Sequence, residues 1–266
     1  MITYPALYPQ RASPDLKRHA QNIKFSLGIP YLLQPARTYT DPTMNLAIKQ
    51  ACIYCGNPAH DLDHVPPECI FQEPRPGDMI KVPSCRKCNR RFSLDDEYFR
   101  DCLALSTYEK ADPPELKTLH EAMRRSLRRK QFRPPARAIL ERSRDGWAQN
   151  QSAIAERVKL LPIDMKRIGR TAERVIHCLH FHHTGRVLPP GYEPKVIHGQ
   201  RMPTVARLDL PFFERLFAPL HQAPWHSIGG VAFGYRFAAA EDDPDGTLWF
   251  LSFFGRLTFF AFTAPD

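Results

Sequence analysis

Cys52 and Cys55, then Cys85 and Cys88, form two Cys-x-x-Cys pairs, and Asp63, His64 and Asn89 lie between and beside them. Each pair can close a tight knuckle that turns two thiolates toward one ion, and two knuckles complete a four-sulfur tetrahedron. Zinc is the ion such soft ligands select; with four protein ligands it has no open position for chemistry. Chemistry would then fall to the enclosed residues. An imidazole such as His64 can take a proton near neutral pH. Asp63 and Asn89 offer hard oxygens, the ligands that Mg²⁺ or another hard divalent cation prefers. A base beside such a cation suits phosphodiester hydrolysis, in which water must be activated and the leaving oxygen stabilised. His60 and Asp61 offer similar groups but precede the expected strand.

The elements that must position these groups are partly readable. Leu62 to Val65 reads as a short strand stopped by Pro66 and Pro67, with Ile80 to Val82 as its partner. The second knuckle then leads into a helix. Ser93 followed by Asp96 resembles an N-cap with an acidic third position and marks a second helical stretch through Leu105. Pro74 to Asp78 is a turn-rich loop.

The arrangement of the two knuckles, with Asp63, His64, Val65, Pro66 and Pro67 between them and Asn89 directly after Cys88, resembles the HNH endonucleases of the zinc-ribbon ββα-metal type. The resemblance covers about Cys52 to Tyr98. It implies that His64 activates water, that Asp63 and Asn89 hold the catalytic divalent cation, and that Cys52, Cys55, Cys85 and Cys88 hold a structural zinc. Many members carry Asn-Leu shortly before the second knuckle, where this chain reads Ile80, Lys81, Val82 and Pro83. The alternative from another class is a zinc-ribbon module without catalysis that binds nucleic acid or a protein partner.

Charge points to the same partner class. The chain of 266 residues carries +9, and nine basic residues between Arg124 and Arg144 are opposed by Glu141 alone, a local balance of +8. Such concentration favours a polyanion, with Arg124, Arg125, Arg128 and Arg129 as the contacts; it is the HNH resemblance, not the charge, that puts DNA ahead of RNA. These four flank a helix opened by Asp112 as N-cap and Pro113 at the first position. Its stripe is Leu116, Leu119, Met123 and Leu127, and Pro134 and Pro135 end it. Another helix is expected from Asp164 to about His183, with Ile168, Ala172, Val175, Ile176 and Leu179 on one face and Gly185 closing it. His177, His180, His182 and His183 crowd its C-terminal end, where the helix dipole favours cations, and read as dipole-favoured side chains rather than as a metal set.

Toward the C-terminus, Val231 to Ala239 and Thr247 to Phe254 flank an acidic turn and read as a hairpin. Gly255 bends the chain into a further strand, Arg256 to Phe262, and the phenylalanines here read as sheet core. Residues 1–43, with Pro5, Pro9, Pro14, Pro30, Pro35 and Pro42 and no apolar period, read as an extended arm. A start at Met44 would lose nothing assigned to the zinc unit. The expected fold class is α+β: an arm (1–43), a zinc-clipped ββα-metal unit (44–110), then a helical section and a small antiparallel sheet (111–266) whose function the residues do not declare. No apolar run of membrane-spanning length occurs and no secretory leader is expected. Paired thiols of metal type fit a reducing compartment, the cytosol. Cys69, Cys102 and Cys178 read as free thiols.

Overall fold

The computed structural model describes residues 51–106, 114–128, 134–149, 155–199 and 210–265. The arm, Asp112 and Arg129 lie outside them. The first described unit is an antiparallel pair, β1 (Asp61–Val65) and β2 (Ile80–Ser84), with His64 opposite Lys81. The 21-residue helix α1 (Arg86–Ser106) follows. It is one helix where two stretches were expected. Ser93 does not cap a new start, because its hydroxyl donates to the Arg90 carbonyl one turn back. Asp95 and Asp96 instead serve as partners for a distant helix.

Helix α2 (Pro114–Leu127) buries Leu116, Leu119 and Met123 and leaves Arg124 and Arg125 exposed, as the stripe requires. Pro135 does more than end that helix. It opens α3 (Pro135–Glu141), whose first turn is held by Asp101 of α1 accepting the Ala136 N–H at 2.9 Å. A second hairpin, β3 (Arg144–Gln149) and β4 (Ala155–Leu160), comes next. Helix α4 (Met165–Thr184) has the expected ends: the Asp164 side chain accepts from the backbone of Lys166 and Arg167, and Gly185 closes it at φ 71°. On α4, Arg167 and Arg170 both bind Asp95, and Arg174 binds Asp96. Positions three and four apart lie along one helix edge, so three arginines lace α4 to two adjacent acids of α1.

The C-terminal sheet has five antiparallel strands in the order β5 (Lys195–His198), β9 (Leu257–Thr263), β8 (Thr247–Phe253), β7 (Phe233–Ala239) and β6 (His226–Ile228). Helix α5 (Leu210–Gln222) lies against one face. Alternation along β8 divides its side chains between two layers. Trp249, Leu251 and Phe253 pack into the cluster containing α4, whereas Leu248 and Phe250 pack with Phe213, Phe217 and Leu220 of α5. The larger cluster runs from Ile53 and Val65 through Phe99, Leu103 and Leu179 to Phe259, so the ββα unit and the sheet share one core. The fold is thus mixed α+β with the antiparallel sheet at the C-terminal end.

Candidate metal centre and its surroundings

The first knuckle is a turn closed by the Cys52 N–H on the Asn57 carbonyl at 2.7 Å and the Gly56 N–H on the Cys52 carbonyl at 2.9 Å. Gly56 sits at φ 71°, in the left-handed region that a side chain would strain. The second knuckle is the opening of α1, where the Cys88 N–H points at the Cys85 sulfur at 3.4 Å. A helix N-terminus favours negative sulfur. All four sulfurs lie within 4.8 Å of one another, and Cys55 and Cys85 are 3.7 Å apart. Sulfurs at tetrahedral corners around an ion bonded at ~2.3 Å stand about 3.8 Å apart. The cluster therefore fits a metal ion such as zinc. Cys55 is exposed, and the Asn57 N–H pulls its thiol down to about 6, whereas burial pushes Cys52 and Cys88 up. An ion would replace the protons of the buried pair.

Asp63, His64 and Asn89 take three different directions. Adjacent strand residues point to opposite faces, and Asp63 faces inward. It is 4 % exposed, accepts the Tyr54 hydroxyl at 2.5 Å and Arg174 at 3.3 Å, and takes the His64 backbone N–H on Oδ1 at 2.8 Å. Asn89 donates its amide to Asp61 at 2.9 Å, so its partner is the outer acid rather than Asp63. His64 stands on the other face, its Nδ1 2.5 Å from Glu68, whose second oxygen meets Arg75 at 2.5 Å. The hydrogen bond from His64 holds Glu68 below the usual carboxylate range.

A hard cation shared by Asp63 and Asn89 does not fit this arrangement. Both Asp63 oxygens are engaged inside the protein, and Mg²⁺ keeps several waters around it. Asp63 instead belongs to a buried set in which Arg174 bridges two carboxylates, bonding Asp96 at 2.6 Å and lying over the Phe92 ring at 5.0 Å. Burial pushes Asp96 up to about 7 despite that bond. Burial also opposes the charge on Arg174, but Asp96 and Asp63 outweigh it and hold the guanidinium protonated. Tyr54, inside the first knuckle, completes the set by meeting Cys178 of α4 at 2.8 Å.

Glu68, Tyr54 and Arg174 were not singled out in the sequence. Glu68 carried a signal: it follows His64 by four positions across two prolines that turn the chain back. The three- and four-residue spacing of Arg167, Arg170 and Arg174 is legible as one helix edge, but nothing local names its partners. Arg124, Arg125 and Arg128 are exposed.

At the end of α4, His180 is buried and His177, His182 and His183 are half-buried, and burial lowers the pKa of all four, against the cationic state that the helix dipole favours. His183 lies 4.1 Å from the Phe237 ring and bonds the Tyr235 hydroxyl at 2.9 Å; burial pushes it down to about 3, and His177 to about 4. Sheet packing removes the water on which a dipole-stabilised charge would depend. Among the described residues, the four cysteines are the one His, Cys, Asp and Glu group close enough to hold an ion, and no helix is long and apolar enough to cross a membrane. Comparison with family models, with curated proteins and with solved structures finds no match to the chain in any of the three.

Proposed function

We propose that the chain is a nucleic-acid phosphodiesterase of HNH endonuclease type, DNA the first substrate to test, with zinc on Cys52, Cys55, Cys85 and Cys88 as a structural clip and His64 as the general base. The observation that carries this reading is the His64–Glu68 pair. A carboxylate on Nδ1 fixes the ring and the tautomer, leaving Nε2 to take a proton from water. Lys81 is the cross-strand partner of His64 and is exposed, so a phosphate approaching the imidazole meets a positive charge. The oxygen of that water bonds to phosphorus as the bond to the leaving sugar oxygen breaks, and the leaving oxygen takes a proton from solvent while His64 keeps the one it removed. The motif resemblance supports the same reading, and the basic stretch around α2 supports a polyanionic substrate. A second reading, a zinc-clipped module that binds nucleic acid or a partner without cleaving it, is favoured by one observation: Asp63 is buried and committed to Tyr54 and Arg174. Incubation with plasmid, single-stranded DNA and RNA in Mg²⁺, Mn²⁺ or Ni²⁺ separates them. Cleavage lost in His64→Ala supports the enzyme; binding without cleavage by the parent supports the module.

A further inference from the structure

Trp147 is the most exposed large apolar side chain among the described residues, at 72 %. A single exposed apolar side chain needs no partner by itself; what marks this one is the charge arranged around it. Its hairpin is two-sided by strand alternation. One side carries Gly146, Val158 and Leu160. Val158 is buried, and Leu160 comes so close over Gly146 that any side chain there would collide with it. The other side carries Asp145, Trp147, Arg157 and Lys159, with Trp147 directly opposite Arg157 and Asp145 opposite Lys159. Asp145 ion-pairs with both Arg157, at 3.0 Å, and Lys159, at 2.7 Å. One carboxylate thus pins two long cations beside the indole and leaves the face with net positive charge.

The surroundings extend that charge. Arg142, at the base of the hairpin, is exposed; Arg144 is exposed too but pairs with Leu160 and so stands on the other side. Arg137 of α3 donates to the Leu127 carbonyl, which ties α3 to the C-terminal end of α2, where Arg124, Arg125 and Arg128 stand. A flat aromatic platform flanked by pinned cations matches one ligand chemistry: an unpaired base stacked on the ring, with the adjoining phosphates against Arg157 and Lys159. A protein partner of this face would have to be strongly acidic and offers no reason for the indole to lie open beside the cations.

We propose that the outer face of the β3–β4 hairpin is a stacking platform for a single-stranded stretch of nucleic acid, with Trp147 taking a base and Arg157 and Lys159 its phosphates. The proposal rests on the nucleic-acid reading above but not on cleavage. Its test is therefore made on the full chain with its zinc retained and with no divalent cation added. Fluorescent single-stranded DNA, single-stranded RNA and blunt duplex DNA are titrated by anisotropy against the parent, Trp147→Ala, Trp147→Phe and the Arg157→Gln/Lys159→Gln pair. Trp147→Ala should weaken single-strand binding about ten- to a hundredfold with little effect on duplex, and Trp147→Phe should restore most of it. The double charge variant should lower the salt slope by about 1.4, at ~0.7 per phosphate contact on a single strand. Equal single-strand affinity of Trp147→Ala and parent overturns the platform while leaving the nucleic-acid reading intact. Failure of the parent to bind any of the three overturns both. A concentration-dependent dimer in the parent that Trp147→Ala abolishes, with oligonucleotide affinity unchanged, assigns the face to a second copy and also overturns the proposal.

Discussion

Arg174 of α4 reaches Asp63 of β1 across 111 positions of sequence, 3.3 Å from Nη1 to Oδ1, while its other nitrogen holds Asp96 of α1 at 2.6 Å. The acid that precedes the candidate base is thereby tied to a helix outside the motif, and the ββα unit is completed by a residue that the motif does not contain. Tyr54 links the same carboxylate to the first knuckle and meets Cys178, so hydrogen bonds join the knuckle, the strand and α4.

Replacing Arg174 with Met should cost about 3–5 kcal/mol, because two buried carboxylates then lose their shared cation. Arg174→Lys should recover little of it, since a single ammonium cannot reproduce two separated guanidinium contacts. Urea unfolding followed by circular dichroism measures both; a loss below about 1 kcal/mol for Arg174→Met would show that the bridge contributes little.

Purified protein should carry one zinc per chain by elemental analysis, and Cys88→Ser should lose it together with the order of the two knuckles. Three thiolates leave an open tetrahedron, and the knuckles then lose the metal binding energy that holds them, while the core shared with the sheet keeps α1 in place. Well-folded parent protein without any bound metal would remove the clip from the account.

His64→Ala should lower cleavage about 10²- to 10⁴-fold while keeping zinc, fold and nucleic-acid affinity, the signature of a group used only in the chemical step. Glu68→Gln should lower it less, by releasing the ring from its held tautomer. Parent-level rates in His64→Ala would rule out this base.

The histidine contribution to stability should fall as pH drops below about 6.5, offset in part by Asp96, which burial lifts to about 7 and which therefore contributes stability in the opposite direction over the same range. His177 and His183 are held down to about 4 and about 3 by burial, so between those values and ~6.5 the unfolded chain binds protons that the folded one does not. Unfolding therefore takes up protons, and each histidine contributes a slope of up to about 1.4 kcal/mol per pH unit, with stability rising as pH rises. Their contribution is fully present above ~6.5 and is lost as pH falls toward the folded values. His183→Phe should flatten the profile between pH 4 and 6; an unchanged slope would mean that this ring meets water.

Changing Arg124, Arg125 and Arg128 to Gln should weaken duplex binding and reduce the salt slope by about 2.7, at ~0.9 per phosphate contact. Zinc content should not change. If affinity and slope both match the parent, these arginines are a solvated face.

Local spacing determined much of this protein. The two Cys-x-x-Cys pairs meet through β1–β2 pairing and the Ile53–Pro83 bond, but each paired its two sulfurs because its knuckle is closed by bonds among a few neighbouring residues. The Asp164 cap, the Gly185 stop and the three- and four-residue apolar period set α4 for the same reason, as alternation between turn signals set β7, β8 and β9. Where local reading failed, a distant partner intervened. Ser93 and Asp96 looked like the start of a helix, but Asp96 is spent on Arg174 and α1 runs through. The short edge strands β5 and β6 offer too few residues for alternation to show and exist because β9 and β7 lend them a ladder. Tertiary structure alone decided that Asp63 faces inward and His64 outward, that His183 lies against the rings of Tyr235 and Phe237, and that Trp147 stands open opposite Arg157. Direction, burial and charge depend on what packs against a residue, and packing brings together positions that sequence keeps far apart.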